Sequence, residues 1–216
     1  MNQVEGRIIA TAGKILLTTM LLLPQRASGQ AMPLELAAGH RYATVNFVIS
    51  KGITHTSKFG FFHQHTLTAA YEDGTQDDLA MQNLLYFEPL DGFRLTGGAF
   101  YGKPGFNATA GMQYVKGGRT FFILLSPRVN IESDPSFSVF SILRYNPAIA
   151  GTTKLYLSMQ ALNTFDTEQH IKSYQWLRVG LDVNGTQFGP AVNLDEFGPN
   201  PSVRFTLGAF VRRAIP

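Results

Sequence analysis

The chain has no cysteine, which removes disulfide staples, thiolate metal sites, a cysteine nucleophile and a lipid-modified N-terminal cysteine together. Charge is scarce as well. Charged residues make up 15% of the 216 against 44% hydrophobic, little for a soluble surface and ample apolar material for one domain. Long apolar runs are missing. The longest, residues 15–23, would rise only about 13 Å as a helix, less than half of a bilayer core, so a membrane could be crossed only with strands. Lys/Arg clusters interleaved with aromatics are absent, which argues against nucleic acid as a partner. The formal charge of +3 is partly carried by the first 29 residues, where Arg7, Lys14 and Arg26 face only Glu5. What the chain does hold is 21 Gly, 17 Phe and 8 Tyr against a single Trp, a composition of strands and tight turns.

Arg7 and Lys14 precede the apolar run, Pro24 ends it, and Ala27-Ser28-Gly29 supplies small residues where a signal peptidase reads. Residues 1–29 are therefore expected to be a secretory signal peptide, with cleavage after Gly29 and residues 30–216 as one mature domain.

From residue 40 onward the chain alternates in polarity over segments of about ten residues separated by turn-formers. Strands are expected at 40–50, 59–71, 79–87, 93–101, 106–116, 120–131, 137–145, 154–162, 171–183, 186–194 and 203–214. Between them Glu72-Asp73-Gly74, Asp91-Gly92, Gly102 to Gly105, Gly117-Gly118 and Asn184-Gly185 offer positive-φ residues for hairpins, which makes neighbouring strands antiparallel. A tilted strand needs about 9 to 11 residues to cross a bilayer, whereas soluble strands centre on about 5 or 6. Most of these segments are of the longer kind.

The expected fold is an all-β, antiparallel, up-and-down transmembrane β-barrel of 10 to 12 strands. Eleven segments break the even-number rule, so either residues 32–39 form a twelfth strand or one segment does not span. Leu155, Leu157 and Met159 oppose Lys154, Tyr156, Ser158 and Gln160, and the strands at 171–183 and 203–214 divide likewise, giving a lipid wall and a polar lumen. A soluble sandwich or lipocalin-like barrel, with its apolar side inward, is the alternative. Charges concentrated in 72–78, 132–134, 166–172 and 195–201 favour the membrane barrel, with 184–185 and 116–119 at periplasmic turns and these charged connections outside.

The segments Phe59-Gly60-Phe61-Phe62, Ser126-Pro127-Arg128-Val129-Asn130, KLYLSMQALN (154–163), the stretch 173–203 and the closing LGAFVRRAI resemble a largely uncharacterised group of small outer-membrane β-barrels of the Bacteroidetes type. The likeness covers nearly the whole mature chain. It implies a cell outer membrane location, contact with outer-membrane lipid and handling by the barrel assembly machinery, and carries no activity. The chain departs from outer-membrane barrels in ending Ala214-Ile215-Pro216, with Phe210 its last aromatic.

Candidate chemistry is thin, and no cofactor, metal or catalytic residue is expected. His63 and His65 share one face of a strand and are expected to line the lumen or rim. A barrel hydrolase needs a serine, a histidine base and an orienting group, but no elbow motif brings them together. Arg128, Asn130, Glu132, Arg144, Arg178, Asp182, Arg204 and Arg212 are the candidate lumen residues. They suit either a salt-bridge network filling the barrel, the favoured reading, or a charged constriction that selects solutes. The expected role is structural or surface-interacting, or that of a narrow pore.

Overall fold

Strands with one apolar and one polar face leave unpaired backbone groups at every sheet edge, and in lipid only a closed ring removes them. The computed structural model, which describes residues 32–54, 56–102, 105–131, 135–200 and 202–215, shows that ring. Its strands are β1 (Met32–Gly39), β2 (Tyr42–Gly52), β3 (Phe59–Ala70), β4 (Asp78–Leu90), β5 (Phe93–Gly102), β6 (Gly105–Gly117) and β7 (Phe121–Ile131). There follow β8 (Ser136–Tyr145), a short β9 (Ala148–Ala150), β10 (Thr153–Phe165), β11 (His170–Val183), β12 (Thr186–Phe197) and β13 (Ser202–Ile215). The twelve long strands pair antiparallel in chain order, and β13 returns to β1 with Leu36 opposite Val211. The barrel is thus closed and up-and-down, and β1 supplies the strand needed for an even count.

Turn chemistry accounts for several hairpins. Asn184 (φ 52) and Gly185 (φ 80) both take positive φ, as a two-residue type I′ connection requires, and Gly92 (φ 75) turns β4 into β5. Other glycines act differently from expectation. Gly74 opens a single 3-10 turn (Gly74–Gln76) whose N-cap Asp73 accepts from the Thr75 amide, and neither Gly117 nor Gly118 is left-handed. Between β10 and β11, the amides of Glu168 and Gln169 donate to the exposed Asp166 carboxylate and hold its pKa below the usual range.

Strand parity places the start of β1 and the end of β13 at one end of the barrel. The charge-rich connections after β3, β10 and β12 all open at the other end. The connection at 132–134 lies outside the described residues.

The outward faces are apolar. Leu177, Leu181, Leu207, Leu125 and Met159 are exposed there, against Trp176, Arg178, Asp182, Thr206, Ser126 and Gln160 buried inside. Aromatics bound this belt at both ends, with exposed Tyr71, Tyr101, Phe106, Phe137 and Phe165 towards the charged connections and Phe59, Tyr114, Phe121, Tyr145 and Phe188 towards the chain ends. Two girdles around an apolar band are the surface of a transmembrane barrel rather than of a soluble one.

The interior is filled, as favoured, but in part by apolar side chains where a polar lumen was expected. Phe62, Leu84, Leu124, Phe140, Ile142, Leu162 and Trp176 form one buried apolar cluster inside the ring, and Gln113, Ser126 and Ser138 are fully buried beside it. The physical reason is the bulk of the inward side chains: a ring of twelve strands is wider than one that any side chains would fill, and Phe62, Phe140, Tyr174 and Trp176 turn into it together.

Candidate functional site

The inward face is built by alternate residues, so each site side chain is fixed by strand parity and register. Three sets of contacts join strands that are remote around the ring. Towards the charged end, Lys172 on β11 pairs with Asp78 on β4, six places away in a ring of twelve. At mid-height the Tyr174 hydroxyl accepts from Gln64 Nε2 (3.2 Å) and Gln160 Nε2 (3.1 Å). Asn46 Nδ2 donates to Gln160 Oε1 (2.9 Å), and the Thr66 hydroxyl donates to Asn46 Oδ1 (3.2 Å). These contacts link β2 and β3 to β10 and β11, five places apart. Further towards the chain ends Arg178 Nε donates to Glu35 Oε1 (2.8 Å), and its Nη1 to Asn193 Oδ1 (2.8 Å). Side chains therefore meet across the lumen at two heights and, between β11 and β1, over a quarter of the ring at a third.

Cations inside the barrel rest on rings. Arg94 lies 4.0 Å from the centroid of Tyr86, Arg128 4.8 Å from Phe100, Arg144 5.0 Å from Phe122 and Arg212 5.8 Å from Tyr156. Arg204 sits between Tyr42 (4.7 Å) and Phe197 (4.4 Å), and Arg178 is 5.7 Å from Trp176. A guanidinium within about 6 Å of a ring gains more where water is excluded, which lets an interior short of carboxylates hold six arginines.

Of the eight candidate lumen residues, Arg128, Asn130, Arg144, Arg178, Asp182, Arg204 and Arg212 stand on inward faces, while Glu132 lies outside the described residues. They do not form the single salt-bridge network expected of a filler. Arg178 alone among them makes an ion pair with a described residue, Glu35. Asp182 instead accepts from Gln187 Nε2 (2.9 Å), Asn146 Nδ2 (3.1 Å) and the Gly185 amide (3.0 Å), and Arg212 donates to Gln187 Oε1 (2.9 Å). Arg204 donates to the Gln76 carbonyl and Asn130 to Ser136 Oγ. The residues that join strands which are not neighbours, Lys172, Asp78, Tyr174, Gln64, Gln160, Asn46 and Glu35, are not among the candidates. Period two was the available signal: Gln64, Thr66 and Thr68 share one face of a strand whose other face carries Phe59, Phe61 and Leu67.

That same parity corrects the histidines. His63 and His65 face outward with Phe61 and Leu67, and Phe47 stacks on both at 5.2 and 5.0 Å. Asn83 Oδ1 lies 2.7 Å from His63 Nδ1.

A second histidine arrangement lies on the outer wall at the charged end. One extra residue on β11, Ile171, shifts the register so that His170 pairs with Phe165 while Ser173 pairs with Asn163. The bulge puts His170 and Ser173 on one face, with Nε2 2.7 Å from Ser173 Oγ and Nδ1 2.9 Å from the Gly198 carbonyl. A carbonyl beside Nδ1 selects the tautomer whose Nε2 accepts the serine proton. Ser173 Oγ also donates to Asn163 Oδ1 (3.0 Å), so Asn163 and His170 compete for the hydroxyl's one proton.

Two spaces complete the geometry. A crevice of about 400 Å³ at the charged end is lined by His40, Arg41, Tyr42, Tyr71, Glu72 and Asp73 among others. A cavity of about 20 Å³ lies inside, bordered by Glu35, Arg144, Tyr156, Trp176, Arg178 and Arg212 among others.

No family model and no curated protein matches the chain. Among solved structures it is similar to the NanC porin, over 86% of this chain and 100% of that one, with a TM-score of 0.51 and 9% identity. The KdgM porin covers 87% of this chain and 100% of its own at a TM-score of 0.48 and 10% identity. An outer membrane channel from Pseudomonas putida F1 covers 90% and 100% at 0.45 and 12%. At 9% identity the likeness to the NanC porin is one of fold, that of a closed antiparallel β-barrel.

Proposed function

We propose that this chain is exported, sits in a bacterial outer membrane as a small barrel of the Bacteroidetes type, and works as a structural or surface-interacting barrel whose lumen is shut by its own side chains. An even strand count with both chain ends at one mouth suits a barrel with periplasmic termini, which turns the charged connections outward. One observation carries the reading against that of a narrow pore: Lys172–Asp78 and the Tyr174 hydroxyl join opposite walls, and the cluster around Phe62 and Phe140 fills the space beside them. Planar-bilayer recording tests it. The refolded protein should give no steady conductance in 1 M salt at about neutral pH, whereas a stable open level would establish the pore instead.

A second reading is favoured by the outer-wall pair. Ser173 Oγ could attack the ester carbonyl of an outer-leaflet lipid, with His170 Nε2 taking its proton and returning it to the leaving alcohol, and water then releasing the acyl group. Ser173 is itself buried, so lipid must displace a neighbour to reach it. Labelling by a fluorophosphonate that is lost in Ser173→Ala would support this chemistry, and no labelling of the folded protein would leave the pair a structural clasp at the β11 bulge.

A further inference from the structure

We infer that the interior cavity beside Trp176 is a binding site for one small inorganic anion of halide size. Three guanidiniums border it, those of Arg144, Arg178 and Arg212, against one carboxylate, Glu35. Glu35 is already engaged by Arg178 Nε. The other inward carboxylate of this half of the barrel, Asp182, is taken up by Asn146, Gln187 and the Gly185 amide.

The donors that remain point the same way. Arg178 is 3% exposed and its Nη2 has no partner, and Arg144 Nε is buried without one. Gln187 takes one nitrogen of Arg212, the Tyr156 hydroxyl accepts from Arg144, and the rings of Phe122 and Tyr156 cover the faces of Arg144 and Arg212, which leaves Arg144 Nε and Arg178 Nη2 still to be matched. A buried cation left unmatched is costly, and an unsatisfied charged donor adds to that cost. A single anion in the cavity answers both.

Size sets the ligand class. A cavity of about 20 Å³ exceeds the roughly 10–15 Å³ that one water needs, and is far below what a sugar or a lipid headgroup requires. Water could fill the space but would bring no charge. Chloride or bromide fits both the room and the two positive charges left over.

The chain carries its own reporter, because its one tryptophan, Trp176, lines the cavity. The protein is refolded into detergent micelles in sodium gluconate, whose anion is too large, and in mixtures of gluconate with bromide, a heavy-atom quencher, at constant ionic strength. Trp176 emission should fall along a saturating curve and recover as chloride displaces bromide. In Arg144→Gln the half-saturating bromide concentration should rise about tenfold or more, since one charge-assisted contact is lost. Arg212→Gln serves the same purpose should Arg144→Gln fail the gel-shift test of folding. Quenching that is linear, indifferent to chloride and equal in wild type and variants would mean collision or water alone, and would overturn the site. Because the readout is fluorescence, the result is independent of whether the barrel conducts.

Discussion

Lys172 and Asp78 form an ion pair between β11 and β4, two strands that face each other across the full width of the ring. Their side chains are 19% and 12% exposed, enough cover that removing one leaves the other poorly solvated. Lys172→Ala should therefore destabilise the barrel by about 1 to 3 kcal/mol, the range for a charged hydrogen bond at a partly shielded site. The double variant Lys172→Ala/Asp78→Ala should cost less than the two single losses added. Urea titrations in lipid vesicles would show this, and strict additivity would mean that the pair does not couple the two walls.

Tyr174 is the hub of the mid-height contacts because one hydroxyl accepts from two buried amides. Tyr174→Phe keeps the ring stacked 4.7 Å from Trp176 but leaves Gln64 and Gln160 each short of an acceptor, so a loss of about 1 to 3 kcal/mol is expected. Tyr174→Ala also removes the ring that fills the middle of the lumen. Bilayer recordings should then show brief conductance steps that are missing from wild type and from Tyr174→Phe. Silence in all three would place the barrier elsewhere in the packed interior.

Backbone approach yields a third test. A Cβ on Gly180 would fall 2.1 Å from the Phe188 carbonyl oxygen, so β11 and β12 can close at this height only with glycine there. Gly180→Ala should cost about 1 to 3 kcal/mol by forcing the strands apart. It should also slow refolding, as followed by the shift between folded and boiled protein on a denaturing gel. A neutral result would show that the hairpin tolerates a wider gap.

The strands, their faces and the end at which charge collects were legible because each rests on a local signal: length, a period of two, and turn residues. β1 was harder, since in MPLELAAG Met32, Leu34, Leu36 and Ala38 share the outer face but only Glu35 is polar on the inner one, and its place was suggested by parity alone. The packed interior was hidden by sequences such as FFILL at 121–125, where Leu124 turns in and Leu125 turns out, so that both faces are apolar and the alternation disappears. The cross-lumen partners were hidden by distance. Lys172 and Asp78 are 94 residues apart and Arg178 and Glu35 are 143 apart, and only closure of the ring says that β11 faces β4 and lies three strands from β1. The Ser173–His170 pair was obscured by its spacing of three, which in a regular strand puts the two on opposite faces and is reconciled only by the bulge.

The last prediction separates the two walls of a single strand. Leu157 faces lipid on β10 and Ser158 lines the interior cavity beside Arg144, Arg178 and Arg212. A wet lumen would accept arginine at Ser158 and refuse it at Leu157. The packed interior changes the expectation. Arginine at Leu157, as at Leu181 or Leu207, should cost about 2 to 4 kcal/mol near the membrane midplane. Arginine at Ser158 should cost a similar amount, because it adds a fourth guanidinium where three already outnumber Glu35. Charge alone therefore no longer tells the walls apart, but bulk does. Leu157→Phe swaps one apolar group for another against fluid lipid and should stay within about 0.5 kcal/mol of wild type, whereas Ser158→Phe must enter a space of about 20 Å³ and should lose about 1 to 3 kcal/mol. Vesicle unfolding of the four β10 variants gives the answer within one strand. Tolerance of both substitutions at Ser158 would mean an open, hydrated lumen and would return the barrel to the class of narrow pores.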